Sequence, residues 1–300
     1  MKKERVLVTA GAGHQGKLLI PKLAQSGFIV RAVRQRAGKE AELRALGAHE
    51  VFVGDLGDQD AYHEAAKGVD VIYHIGPGGV GNEVEMGINM LNAAERAGVR
   101  HVVMSSIYHS MIDIAQHRYK RDIEEKIIES GLNFTILKFH DYMMPEVYVE
   151  PVLEGHDYPI FWPVKEGRLQ SFVDLHDMTD AARKVIVEGS AHYHASYELC
   201  GPDKLTNQDL VQMLSRLVGR EVRVVQKETE DLFRVLWPDY GESNKYQDEI
   251  NVIRSIGAWY GKHDYVGNPN VLTWLLGRAP TNFEQFVRRT IAERNAQPAA

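Results

Sequence analysis

The chain has 300 residues, 44% of them hydrophobic and 25% charged, with a formal net charge of −6 and a single cysteine, Cys200. This length buries a substantial core and suits one large α/β unit or a domain with a smaller lobe. The acidic balance argues against a nucleic-acid partner, which needs clustered Lys and Arg, and one cysteine excludes an intrachain disulfide and makes a reducing cytoplasm the expected location. The first residues, MKKERVLVTA, turn directly into a strand pattern without the apolar core of a signal peptide. No apolar run approaches the ~20 residues of a membrane span, so no membrane association is expected.

In chain order, the first half alternates strand and helix patterns. Arg5–Ala10, Phe28–Arg34, His49–Val53, Val69–Ile75, Val99–Ser105 and Asn133–Lys138 are rich in Val, Ile and Phe and read as strands. Gly16–Gln25, Ala37–Leu46 and Met86–Ala97 read as helices between them. Gly27, Gly47, Gly98 and Gly131 stand where helices need a left-handed final residue. The alternation predicts a parallel sheet covered on both faces. Pro21 costs the first helix a backbone hydrogen bond and predicts a kink there. From Tyr142 to Gly167, Pro145, Pro151, Pro159 and Pro163 fall among aromatics and predict irregular loops. Leu169–Val187 reads as a short strand and a helix, and Asn207–Leu217, Glu249–Tyr260 and Asn282–Ala292 read as helices. Residues 295–300 read as a disordered tail.

The stretch RVLVTAGAGHQGKLL, Arg5–Leu19, carries two glycine spacings. Gly11, Gly16 and Lys17 approximate a nucleoside-triphosphate P-loop, but Leu18 stands where that loop needs a Ser or Thr hydroxyl for Mg²⁺. Gly11, Gly13 and Gly16 lie between a strand and a helix, the context of a dinucleotide-binding turn. The dinucleotide reading is favoured over the P-loop and over a ligand-free turn. At the end of the second strand, where a carboxylate would hold a ribose 2′-hydroxyl, stands Arg34, followed by Gln35 and Arg36. A guanidinium there favours a 2′-phosphate, hence NADP(H) over NAD(H). The alternative is an ordinary solvated arginine.

With these residues in place, the chain resembles the NmrA-like group of atypical short-chain dehydrogenase/reductases over nearly its whole length. VTAGAGHQGKLL resembles the family's opening loop, with Ala10 where many members have the first Gly. VRAVRQR is similar to its NADP-selecting strand end. VFVGDLGD resembles the segment whose Asp-Leu, here Asp55 and Leu56, borders the adenine. HVVMSSI resembles the fifth strand, and HRYKRDIEEKIIESGLNFTIL the helix with a functional Lys, here Lys120. SFVDLHDMTDAARKVI and YELCGPDKLTNQDL are similar to later framework stretches. The resemblance implies an α/β fold: a doubly wound parallel-sheet Rossmann domain with a smaller, mainly helical C-terminal substrate lobe. Residues 1–141 and 169–190 are assigned to the first, and 142–168 and 191–300 to the second. The cofactor residues expected are Gly11, Gly13, His14, Gln15 and Gly16 in the loop, Arg34, Asp55 and Leu56 beyond the next two strands, and Ile75, Gly76 and Lys120 beside the sheet.

The Tyr-x-x-x-Lys pair of ordinary short-chain dehydrogenases, which sets both side chains on one helix face, is missing: Gln116 precedes Lys120 by four and Tyr119 points about 100° away. Tyr119, Ile123 and Ile127 mark the expected buried face, with Lys120 beside it. Lys120 then contacts ribose or moves a proton, or is a surface residue paired with Glu124. Further candidates follow the strands: Ser105, Ser106, Tyr108 and His109 after the fifth, and His140, Tyr142, Met143 and Met144 after the sixth, where the family's Arg-Pro-Gly is replaced by Lys138, Phe139 and His140. Lys120, Tyr108 and His140 are the catalytic candidates. Ser106, Tyr108, His109, His140, Tyr142, Met143 and Trp162 are the candidate substrate pocket. His192–His194 could bring two imidazoles to one strand face, but no third ligand, HExxH or CxxC is present, and no metal is expected. No GxSxG elbow occurs either. The favoured reading is an NADPH-dependent reductase of a small aromatic or apolar carbonyl, quinone or activated alkene. A dinucleotide-sensing regulator that acts through a protein partner is the alternative. An epimerase or isomerase is disfavoured by the missing Tyr. Homodimerisation is left open.

Overall fold

The computed structural model describes residues 3–76, 81–236 and 247–296. The first half runs β1 (Arg5–Val8), α1 (His14–Gln25), β2 (Ile29–Arg34), α2 (Glu40–Ala45), β3 (Glu50–Val53), α3 (Gln59–Ala66), β4 (Val71–Ile75), α4 (Glu83–Ala97), β5 (His101–Ile107), α5 (Ala115–Glu129) and β6 (Phe134–Phe139). The second half holds α6 (Pro145–Tyr148), α7 (Glu150–Leu153), β7 (Tyr158–Ile160), α8 (Leu175–Glu188), β8 (Ala195–Leu199), α9 (Asn207–Val218), β9 (Val224–Gln226) and α10 (Thr229–Leu236). It closes with α11 (Gln247–Tyr260), α12 (Asn270–Leu276) and α13 (Phe283–Ala296).

Seven strands form one parallel sheet in the order β3-β2-β1-β4-β5-β6-β8. Chain direction across the sheet reverses between β1 and β4, and a crevice opens at the carboxyl ends of the strands at such a point. Burial on both faces explains the near-continuous apolar strands, as in β5, where His101–Ser106 are all buried. One face packs Leu19, Leu23, Met178, Val185 and Leu272 from α1, α8 and α12. The other packs Tyr62, Met90, Ala94 and Ile123 from α3, α4 and α5. This is a doubly wound, Rossmann-like α/β fold. A third apolar cluster, with Met143, Val149, Phe172, Leu214, Phe283 and Phe286, lies among the second-half elements. Cys200 is fully buried just past β8.

Several boundaries differ from expectation for identifiable reasons. The four expected glycines all have positive φ, but α3 was missed; its start is set by Asp58, whose side chain accepts from the Asp60 and Ala61 amides. Pro21, expected to kink α1 rather than break it, lies inside a helix that runs on to Gln25. The proline-rich stretch is more ordered than predicted. Pro145 and Pro151 open α6 and α7, where a missing N–H costs nothing, and Pro159 lies in β7, paired in parallel with β9. The short strand expected after Leu169 reduces to isolated bridges, from Gln170 to Leu205 and Tyr265 and from Val173 to Tyr142. β8 falls in 191–300, the stretch assigned to the smaller lobe, yet pairs along β6; α12 packs with it on the sheet. Asn295 and Ala296, expected in the disordered tail, are the last residues of α13, while 297–300 lie outside the described residues. No helix among the described residues is long and apolar enough to cross a membrane.

The β1–α1 turn is tightly closed. A Cβ on Gly16 would lie 2.6 Å from the carbonyl oxygens of Ala10 and Gly11, so only glycine lets α1 approach the turn this closely. Ala10 adopts φ 48°, a left-handed conformation that disfavours a Cβ. Ala10→Gly is therefore expected to raise stability by ~0.5–1 kcal/mol, less than the full left-handed strain because glycine gains unfolded-state entropy. A urea midpoint that stays level or falls would mean that Ala10 carries no strain.

Candidate active site

A cavity of about 550 Å³ opens at the carboxyl end of the sheet. At one end it is lined by Gly13, His14 and Gln15, followed by Ile75, Gly76, Ser106 and Lys120 along the strand ends. His140, Asp141 and Tyr142 follow β6 into it, and aromatic residues including Tyr148, Tyr158, Trp162 and Tyr260 close the far end with Arg168 and Gln170.

The loop end has the features a dinucleotide needs. Gly13 caps α1 without any side-chain hydrogen bond, which leaves first-turn amides free for an anion. The Gly11 amide donates to the Val33 carbonyl (2.8 Å), and a Cβ on Gly11 would press on Ala32 and that same carbonyl. Arg34 ends β2 with its buried Nε and Nη1 atoms unpartnered. Gln35 donates to Asp55 (3.0 Å), whose other oxygen accepts the Gly57 amide, and Leu56 is buried. Gly11, Gly16, Arg34, Asp55 and Leu56 flank the cavity rather than line it. Uncapped amides beside a cradle that a Cβ would fill, with unsatisfied guanidinium nitrogens nearby, fit a phosphorylated dinucleotide.

Lys120 lies on the buried face of α5, together with His117, Ile123, Glu124 and Ile127, rather than beside it; Tyr119 is only half-buried. Its ammonium pairs with the fully buried Glu83 of α4 at 2.5 Å. A Cβ on Gly76 would lie 2.9 Å from both the Glu83 carboxylate and Lys120 Nζ, so glycine keeps that pair open to the cavity. Glu124 is not the partner of Lys120. Its carboxylate pairs with Lys138 (2.8 Å) and accepts from Ser106 (2.5 Å) and Ser110 (2.9 Å). Ser106 reaches the cavity with its hydroxyl proton thus committed.

Three sequence candidates leave the cavity. Tyr108 turns into a cluster with Tyr265, Tyr260 and Cys200, and its hydroxyl accepts the Asn268 amide at 3.2 Å. Its catalytic and substrate-pocket assignments do not match this placement. His109, at φ 51°, faces Glu198 at 3.3 Å on the exposed side, and Met143 packs in the third apolar cluster. His140 lines the cavity with its Nδ1 accepting the Asp141 amide (2.8 Å); burial, with nearby His109 and Arg168, holds its pKa well below the usual imidazole range. Tyr142 and Trp162 line the cavity as expected. Burial raises the Tyr142 phenol to about 12. His192 bonds Tyr197 and Glu188, while the His194 ring meets Phe134. No cluster of potential metal ligands occurs among the described residues.

Asp141 was not singled out from the sequence. Burial pushes its carboxyl up to about 7, against the opposing effects of Arg168 and a Gln170 hydrogen bond. One oxygen accepts from Gln170 Nε2 at 2.5 Å.

Residues 2–287 match the NmrA-like family, and the chain belongs to that family. Among characterised proteins it is 25% identical to the NAD(P)H azoreductase of Xenophilus azovorans, covering 94% of this chain and 96% of that protein. It is 27% identical to quinone oxidoreductase 2 of Escherichia coli over 72% of this chain and 76% of that one. Its fold is similar to that of the Citrobacter sp. triphenylmethane reductase solved with NADP(H), with a TM-score of 0.77, 22% identity, and 95% and 99% of the two chains covered.

The raised Asp141 pKa has a stability consequence. Between the ordinary carboxylate range and about 7, the folded protein keeps a proton that the unfolded chain has lost. The folded state binds more protons there, so this contribution to stability falls as pH rises through the window. Asp141→Asn removes that loss. Its urea midpoint relative to the parent is expected to be higher at about pH 8 than at about pH 5; the same difference at both pH values would show that Asp141 ionises normally.

Proposed function

We propose that the protein is an NADPH-dependent reductase whose acceptor is an aromatic or apolar carbonyl, quinone or activated alkene. The observation that carries this reading is the continuity of the cavity: the wall that begins at Gly13–Gln15 and Lys120 ends among Tyr148, Tyr158 and Trp162. A cofactor held by the loop would thus share one continuous cavity with a planar apolar acceptor. The NAD(P)H azoreductase and quinone oxidoreductase activities of relatives support the same class.

In this reading the α1 amides and the Gly11–Gly16 turn hold the pyrophosphate, Asp55 and Leu56 border the adenine, and Arg34 holds a 2′-phosphate. Bound NADPH supplies hydride. Lys120, oriented by Glu83, holds the nicotinamide ribose. The aromatic wall excludes water and stacks the acceptor. With no Tyr-x-x-x-Lys donor, the Asp141 carboxyl holds a transferable proton near neutrality on the oxygen opposite its Gln170 bond. The neutral His140 ring beside it is a polar contact for the acceptor.

The test is NADPH consumption with a panel of quinones, enones and aromatic carbonyls. Turnover of at least one member is expected, with NADPH bound more tightly than NADH. Arg34→Glu is expected to weaken NADPH by ~1–3 kcal/mol and spare NADH. Binding without turnover across the panel, together with a protein partner whose affinity follows the cofactor's state, would favour the regulator instead; equal affinities for the two cofactors in the parent would remove the 2′-phosphate role from Arg34.

Lys120→Met is expected to weaken cofactor binding. Because it strips Glu83 of its lysine, it is best made together with Glu83→Gln, which spares the cost of a buried charge left without that partner. Unchanged cofactor affinity in the folded double variant, measured by calorimetry, would strike Lys120 from the ribose site.

A further inference from the structure

The far end of the cavity holds a cation that makes no ion pair among the described residues. Arg168 is 6% exposed and lines the cavity. Its Nε donates to the His263 carbonyl at 3.2 Å and its Nη1 to Gln170 Oε1, while Nη2 is buried with no partner. The guanidinium carbon lies 6.0 Å from the centre of the Tyr260 ring. Gln170 spans between Arg168 and Asp141, donating to the carboxyl rather than letting it meet the guanidinium directly. Burial raises the Asp141 pKa to about 7, so that carboxyl is mostly protonated below neutrality and offsets the arginine only in part. Tyr148, Tyr158 and Tyr260 line the cavity with it, at the aromatic end and away from the Gly13–Gln15 loop.

Buried charges in folded proteins are paired, and a guanidinium edge with a free N–H is shaped to receive an oxyanion. We propose that Arg168 anchors a subsite for planar aromatic anions: its guanidinium receives a carboxylate or sulfonate while Tyr148, Tyr158 and Trp162 cover the ring. Calling this ligand the acceptor of the reaction rests on the reductase reading; its binding does not. Arg168 then acts as a specificity residue that sorts acidic aromatic acceptors from neutral ones, because an uncharged ligand in the same place leaves the buried cation without a counter-ion.

The experiment compares naphthoate with the uncharged naphthamide by calorimetry on NADP⁺-saturated protein. The parent is expected to bind naphthoate at least about tenfold more tightly, the scale of one charge-assisted contact. Arg168→Met is expected to abolish the preference and Arg168→Lys, which keeps the charge but loses the planar fork, to reduce it severalfold. The lysine variant carries the test where the methionine variant does not fold. A parent with no preference for naphthoate overturns the proposal, and so does a preference that survives both substitutions. In parallel, naphthoquinone sulfonate and its uncharged parent quinone are compared as acceptors of NADPH. A naphthoate preference that depends on Arg168, with neither quinone reduced, supports the subsite while counting against the reductase reading. Reduction of both quinones at equal kcat/KM, with no naphthoate preference, overturns the subsite alone.

Discussion

One buried amide, that of Gln15, joins the segments that make the cavity. Its oxygen accepts from Tyr73 at 2.9 Å and Ser105 at 3.0 Å, and its nitrogen donates to Tyr142 at 2.8 Å. These partners come from β4, β5 and the stretch after β6, whereas Gln15 itself sits in the first turn of α1. Helix α1 is thereby fixed to three strand ends at once. The hydroxyls and amide are satisfied by one another in a dry setting, where an unmade bond is costly. An apolar side chain at Gln15 would leave three hydroxyl groups short of a partner and loosen the loop from the aromatic wall.

A second arrangement of polar groups lies just behind the cavity. Glu124 gathers Ser106, Ser110 and Lys138, and Lys138 also donates to Ser110 at 3.0 Å. This network ties α5 to β5 and β6 on the side of the helix that also presents Lys120. Lys120 and Glu124 share a helix face but answer to different partners, one on α4 and the other on β6. The two carboxylates, Glu83 and Glu124, hold the two lysines apart and tie the helix to α4 on one side and to β6 on the other.

Much of the sheet was legible because parallel strands buried on both faces leave an unbroken apolar signature, and glycines mark the helix ends. The tight β1–α1 turn was legible for a related reason: Gly16 answers a steric demand that no other residue meets. Arg34 could be read because its position, at the end of the strand after the loop, is fixed by the fold alone. The far end of the cavity was much less legible. Tyr108 follows the strand end as a pocket residue should, but its amide bonds the Phe139 carbonyl and its ring turns into the Tyr265 cluster. Asp141, Gln170 and Arg168 belong to no motif, and only the return of the chain after α7 brings them together. Glu83 becomes Lys120's partner because α4 packs on α5, a contact that helix periodicity within α5 cannot announce. Strand pairing also overrode the division at residue 191, because β8 lies past it and still pairs along β6.

Cys200, the only cysteine of the chain, is wholly enclosed beside Tyr108 and Tyr265, where burial pushes its thiol up to about 12. An added Cβ on Gly267 would lie 2.5 Å from its sulfur, so backbone covers it at close range. A thiol reagent needs an exposed thiolate, and the folded protein offers neither the exposure nor the charge. Alkylation can therefore proceed only through opening of this part of the molecule. The chain carries its own reporter of conformational opening next to the cavity, and the rate of modification, with and without dinucleotide, measures how far a bound cofactor clamps it shut.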